Sequence, residues 1–327
     1  MIEVATRIER WELIEPFVTA RDANTHVPVL VVQLTGPGGQ RGWSEAAGVD
    51  YDGETPESMA AQVEDLRGAL NDRLTGTELL DLLPAGGARN AIDCALWDLR
   101  AKETGSPVWK LAGLPAPHPV TTAFTIGLGD EQEVRRKARQ ALDFPLLKLK
   151  VDAERHVGLV RVVRQAHPSA RIIVDANQSW TRALLERLLP QLHELGVELV
   201  EQPVPRGDDA ALDGLRSPIP VAADESCTDR HSLAGLAGRY QSVNIKLDKC
   251  GGLTEALAMC AEARPLGLGL IVGNMCGTSL AMAPAFLVAQ ACIVTDLDGP
   301  LLQRLDRPHP IRFERGVMQA PDPALWG

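Results

Sequence analysis

Apolar, β-branched-rich runs of strand length recur along the second half of the chain: "TTAFTIG" (121–127), "LLKLKV" (146–151), "RIIVDAN" (171–177), "VELVEQP" (197–203), "IPVAADES" (219–226), "SVNIKL" (242–247), "LGLIVG" (268–273) and "CIVTDLDGP" (292–300). Continuous apolar runs of this length predict strands buried on both faces. Between them lie stretches with helical spacing, such as "AERHVGLVRVVRQAHP", "TRALLERLLPQLHELG", "DRHSLAGLAGR" and "LTEALAMCAEARPLG". The interval between equivalent strand positions is roughly 22 to 26 residues, about what one strand plus one helix requires. Eight strands with such crossovers predict a TIM-type (β/α)7β barrel. A doubly wound open sheet is the rival, but no glycine-rich phosphate turn follows the first strand.

The first part of the chain has another pattern. "VPVLVVQLTGPGGQRGWSEA" predicts a hairpin around Gly-Pro-Gly-Gly, and "RNAIDCALWDLRAKETG" a helix with Ile92, Leu96 and Leu99 on one face and Gly105 as its stop. The expected organisation is α/β throughout. It comprises an α+β capping domain over 1–115, a barrel over 116–300, and a segment over 301–327 that packs back on the cap.

Composition narrows the class. The 327 residues are 45% hydrophobic and 23% charged, the ordinary balance of a globular chain. A net charge of −10 with no basic stripe argues against nucleic-acid binding. No apolar run is long enough to span a membrane. "MIEVATRIERWELIEP" carries acidic residues and predicts no secretory signal. Six cysteines without a C-x-x-C pair predict a reducing, cytoplasmic location.

The barrel pattern also orders the charged residues. Lys148 and Lys150 interrupt an apolar strand at a spacing of two, which puts both ammonium groups on one face. Lys150, Asp175, Glu201, Asp224 and Lys246 each fall near the end of a strand, on five consecutive units. That is where barrels keep their chemistry. Three carboxylates converging at one rim repel unless a cation lies between them, and an all-oxygen set suits Mg²⁺. Lys148 is expected to supply like charge that makes Lys150 a better base.

Taken in order, K-x-K (Lys148, Lys150), D-x-N (Asp175, Asn177), E-Q-P (Glu201, Gln202), D-E-S (Asp224, Glu225, Ser226) and "NIKLDKCGGLTEAL" from Asn244 resemble the enolase superfamily, in its muconate-lactonizing-type subgroup. The resemblance covers essentially the whole chain. It implies one Mg²⁺ per subunit on Asp175, Glu201 and Asp224, and Lys150 and Lys246 as the two acid/base groups. These would remove and return the α-proton beside a carboxylate through an enediolate. It also places Asn177, Gln202, Glu225 and Ser226 behind the metal ligands. No histidine matches a base position in these motifs.

Two-lysine sites serve several activities. Asp296 and Asp298 in "TDLDGP" lie at spacing two, on one face of the last strand, where two unpaired carboxylates would attract an ammonium. Dipeptide epimerases carry D-x-D there, so the resemblance implies a dipeptide epimerase of the L-Ala-D/L-Glu type. In that reading Asp296 and Asp298 hold the substrate's N-terminus, Lys148 contacts the substrate and Arg21 binds a glutamate side chain. A homo-oligomer is expected. Amino acid racemases, cycloisomerases and cis-3-hydroxyproline-type dehydratases are the enzymatic alternatives, and a catalytically silent carboxylate-binding barrel is the non-enzymatic one.

Overall fold

The computed structural model describes residues 2–19, 23–71 and 74–327. It opens with a three-stranded antiparallel sheet, β1 (Glu3–Val18), β2 (Ala23–Thr35) and β3 (Arg41–Ala46). The β2–β3 hairpin closes with the Gly36 N–H donating to the Gln40 carbonyl at 2.9 Å. Its alternation sorts two cores. Leu30, Val32 and Leu34 pack on the cap helices α1 (Pro56–Leu66), α2 (Gly76–Leu82) and α3 (Gly87–Thr104). Val27, Val29 and Val31 point the other way, into a cluster with Leu13 against which Phe17, Trp43 and Cys276 pack. That second face brings the cap to the barrel mouth. α3 lies close on β3 because position 42 is glycine, where a Cβ would meet the Ala95 carbonyl and the Leu99 nitrogen at 2.3 Å. Helix α3 ends at Gly105, which takes the left-handed conformation at φ 66°.

After α4 (Val108–Leu111) and β4 (Val120–Thr121), eight strands follow in sequence order. They are β5 (Phe124–Ile126), β6 (Leu146–Lys150), β7 (Arg171–Asp175), β8 (Val197–Glu201), β9 (Val221–Ala223), β10 (Ser242–Ile245), β11 (Gly269–Val272) and β12 (Val294–Thr295). Every neighbouring pair is parallel. A bridge between Thr122 and Thr295, with the Ala123 N–H donating to the Thr295 carbonyl at 2.8 Å, closes the ring. The fold is therefore the expected α/β barrel with an N-terminal cap. Outside it run α5 (Glu131–Gln140), α6 (Val157–Ala166), α7 (Arg182–Glu194), α8 (Arg230–Leu236), α9 (Leu247–Cys250), α10 (Leu253–Ala263) and α11 (Ser279–Ala289).

The strand–helix alternation breaks once. Between β8 and β9 only a 3₁₀ turn forms, at Asp209–Leu212. Pro203, Pro205, Pro218 and Pro220 deny that segment backbone donors at both ends. The last strand is shorter than its apolar run and ends at Thr295.

Residues 301–327 touch both parts of the molecule. β13 (Phe313–Glu314) and β14 (Val317–Met318) form a sheet with β4. Farther on, the Trp326 indole donates to the Cys94 carbonyl of α3 at 3.0 Å. Among the described residues no helix is long and apolar enough to cross a membrane.

Candidate active site

The barrel interior is apolar at its base. Ala123, Leu146, Ile173, Leu199, Ala222, Ile271 and Val294 form one buried layer. Two residues beyond Leu146, Ile173, Leu199, Ala222 and Val294 come Lys148, Asp175, Glu201, Asp224 and Asp296, all buried, and Asn244 of β10 joins them. Period-two alternation on eight parallel strands thus stacks a charged layer directly on a hydrophobic one.

Asp175, Glu201 and Asp224 each offer a carboxylate oxygen within 4.8 Å of the others. The ammonium groups divide among them. Lys150 donates to Asp175 Oδ2 at 2.7 Å and Lys246 to Asp224 Oδ2 at 2.7 Å. Strands β6 and β10 are four apart in a ring of eight, so the two lysines reach the acidic cluster from opposite walls. Lys148 sits between, 3.0 Å from Asp175, 2.8 Å from Glu201 and 2.9 Å from Asp296.

Charge states follow from these neighbours. Burial opposes the charge of Lys148, yet Asp296, Glu201 and Asp175 outweigh it and hold the ammonium well above the usual lysine range. Lys148 thus stays cationic, as its expected role beside Lys150 requires, while three carboxylates surround it. Burial works on Asp224 too, but Lys246 and Lys249 hold its carboxyl well below the ordinary value. Glu201 is pushed up to about 7, by burial and then by Asp175. Its Oε2 is buried, and its one close partner is the Lys148 ammonium at 2.8 Å, without hydrogen-bond geometry. One incompletely satisfied oxygen among three convergent carboxylates is what a hard divalent cation would complete. The residues present therefore fit Mg²⁺.

The expected supporting residues are nearby. The Asn177 N–H donates to Asp175 Oδ1 at 2.9 Å, and the Asn177 side chain reaches Glu225 at 3.4 Å. Gln202 Oε1 accepts from the backbone N–H groups of Asp224 at 2.8 Å and Ser226 at 3.1 Å.

Asp296 and Asp298 differ from expectation. They lie just past β12, not on it, and neither is bare. Asp296 pairs with Lys148, while Asp298 Oδ2 accepts the Thr125 N–H at 2.6 Å. Just past the strand the Asp296 N–H still donates to the Val272 carbonyl at 2.8 Å, and the Asn274 side chain donates to the Asp296 carbonyl at 2.7 Å. Arg21 lies outside the described residues. Beside this rim is a cavity of about 300 Å³ lined by Phe17, Asn24, His26, Asp50, Met275 and Cys276 among others. It is bounded partly by the cap and partly by the barrel.

Three residues have no role assigned by the sequence patterns, although Asn244 and Lys249 lie within "NIKLDKCGGLTEAL". Asn244 donates to Glu201 Oε1 at 2.9 Å. Its signal in the sequence is its place at the head of that motif, two residues before Lys246. Lys249 donates to Asp224 Oδ1 at 2.6 Å. Arg307, from the C-terminal segment, pairs with Glu45 of β3 and carries no local signal.

Known proteins resemble the chain over its full length. Residues 1–113 match the mandelate racemase / muconate lactonizing enzyme N-terminal domain, and residues 131–324 the enolase C-terminal domain-like family. The L-Ala-D/L-Glu epimerase of Escherichia coli is 41% identical over 312 residues, covering 95% of this chain and 97% of that protein. An Agrobacterium tumefaciens enolase family member, solved with sodium and L-Ala-L-Glu, superposes with a TM-score of 0.96 at 41% identity over 100% of both chains. A dipeptide epimerase from Methylococcus capsulatus, complexed with Mg and L-Arg-D-Lys, gives a TM-score of 0.91 at 32% identity over 99% of this chain and 98% of that one.

Proposed function

This chain belongs to the mandelate racemase / muconate lactonizing enzyme family of the enolase superfamily, and from that premise we propose that it is a Mg²⁺-dependent dipeptide epimerase. It inverts the α-carbon beside the terminal carboxylate, with Ala-Glu as the first substrate to test. Asp175, Glu201 and Asp224 would hold the ion. Mg²⁺ bound there supplies positive charge that holds the substrate carboxylate and offsets the charge it gains when the α-proton leaves.

The chain's own residues do the rest. Lys150 Nζ and Lys246 Nζ face the same cluster from opposite walls, so one takes the α-proton and the other returns it to the far face. Lys148 lends its ammonium to the substrate carboxylate. Asp298, with Asp296 beside it, offers its carboxylate to the substrate's α-ammonium, and Arg21 remains a candidate for the side chain. The observation that carries the reading is the pair of 2.7 Å contacts, Lys150 to Asp175 and Lys246 to Asp224, made from strands four apart. The same proposal includes a reducing cytoplasmic setting, which six free cysteines favour, and a homo-oligomer.

Incubation of the enzyme with Mg²⁺ and L-Ala-L-Glu in deuterium oxide tests it. Mass spectrometry and chiral separation should show one deuterium gained at the glutamate α-carbon and L-Ala-D-Glu accumulating. N-acetylglutamate, which lacks the ammonium, should react more slowly. No mass gain across a dipeptide library would overturn the proposal.

A further inference from the structure

Two lysines bind Asp224, and they are chemically unequal. Lys246 reaches Oδ2 and, among the described residues, its ammonium makes no other hydrogen bond. Lys249 is also buried, yet it donates to three acceptors: Asp224 Oδ1 at 2.6 Å, the Asn244 carbonyl at 3.0 Å and, closer still, the Asp224 carbonyl. An ammonium has three protons. Those of Lys249 are all committed, while Lys246 keeps two in reserve.

The local fold explains the division. Lys246 follows β10 directly and caps α9, a single turn, and Lys249 comes round that turn to reach Asp224 just past β9. The turn closes with the Lys249 N–H donating to the Lys246 carbonyl at 3.0 Å. Lys249 therefore ties the ends of β9 and β10 together. It holds Asp224 by both its side chain and its main chain. Without it Asp224 could rotate about χ1 and carry Oδ2 away from Lys246.

We propose that Lys249 is a positioning residue: its fully committed ammonium fixes the Asp224 carboxylate, and through it both the metal site and the orientation of Lys246. This rests on the function proposed above only for the Lys246 half. The metal half stands on geometry alone. Lys150, held by Asp175 on the far wall, lies outside the reach of this clamp.

The test compares K249M with the wild type on two readouts. Calorimetric titration with Mg²⁺ should show affinity about tenfold weaker in K249M, the usual size of losing a group that orients a ligand. Then, at saturating Mg²⁺, deuterium wash-in is followed separately from each epimer of Ala-Glu. Exchange from one epimer, the one Lys246 serves, should fall at least fivefold more than exchange from the other. A defect that is merely structural would lower both equally. Should K249M fail to fold, K249R carries the same comparison, because a guanidinium keeps the charge but cannot converge three protons from one nitrogen. Unchanged Mg²⁺ affinity, or an equal fall in both exchange rates, overturns the proposal. If the wild-type enzyme exchanges no dipeptide, the functional reading fails, and the titration alone decides whether Lys249 holds Asp224.

Discussion

Replacing Lys148 with methionine separates what the ammonium does from what the metal does. The methionine keeps the unbranched stem and removes the charge. In the metal-free protein this leaves Asp175, Glu201 and Asp296, each 2.8–3.0 Å from the ammonium, without their shared cation. Stripping one partner from a buried ion pair costs about 3–5 kcal/mol. At ~2 °C per kcal/mol for a chain of this size, melting in EDTA should fall by about 6–10 °C. Mg²⁺ then acts in the opposite sense. In the wild type it must compete with an ammonium already lodged among the carboxylates. In K148M that competitor is gone, so the rise in melting temperature at equal free Mg²⁺ should exceed the wild-type rise. At about 100 times Kd the ion adds ~2.7 kcal/mol, enough to recover half or more of the deficit. Scanning calorimetry of both proteins in EDTA and in Mg²⁺ gives all four values. Equal melting in EDTA, or equal increments with Mg²⁺, would refute the idea that Lys148 occupies the cation's electrostatic place.

K150A and K246A should each abolish epimerisation, yet each should leave solvent exchange of the α-hydrogen from one epimer, opposite in the two variants. Chiral chromatography with mass spectrometry reads this, and full activity in both would exclude the two-lysine mechanism. Glu201 is held at about 7 against its ordinary 4.5, so its contribution to metal-free stability is complete below about pH 4.5 and is lost as pH rises through 7. Asp224, held below its ordinary 3.8, works in the other sense and stabilises above that value. Because Mg²⁺ must displace the Glu201 proton, its affinity should weaken about tenfold per pH unit below 7. Calorimetry in two buffers should find about one proton released at pH 6 and none at pH 8.5. R307M strips the guanidinium that lies 2.7 Å from Glu9, pairs with buried Glu45 and stacks 4.7 Å from the Trp11 ring. It should destabilise by about 3 kcal/mol in denaturant melts. E45Q combined with R307M should lose less than the sum of the two single variants.

What the sequence made legible is what a single strand can carry. Lys148, Lys150, Asp175 and Glu201 sit on their strands and Asp224 directly after β9, at places fixed by period-two alternation. The regular β/α interval then brings the strands' ends to one rim. Features that depend on a turn or on distant partners stayed hidden. Lys249 lies within a quoted motif, but its contact with Asp224 depends on the one-turn helix that carries it. Asp296 and Asp298 read as bare, because their partners Lys148 and Thr125 come from the strands that close the barrel on its other side. The clamp of Arg307 on Glu45 joins residues 262 apart in sequence, which no local pattern reports. The missing helix before β9 was foreseeable, since four prolines flank it.

The short stretch "NIKLDK" shows how closely placement and coverage of the site are bound together. Asn244 steadies Glu201, Lys246 faces Asp224, and Lys249 clamps that same carboxylate. Between the two lysines, Asp248 leaves the barrel and accepts the Gly48 N–H of the cap at 2.9 Å. The cap loop that begins at Gly48 is braced from within by Glu54, which accepts the Val49 N–H at 2.8 Å. At its tip Asp52 meets Arg206 of the β8–β9 segment at 2.8 Å. The covering loop thus hangs from the one-turn helix that Lys246 caps. A shift of that turn would move a candidate base, the clamp on a candidate metal ligand and the cap loop that lines the cavity at once. Separate elements for these tasks could drift independently, and a near-attack geometry degrades with displacements of about 1 Å. Placing all three on six consecutive residues makes any such displacement a common one.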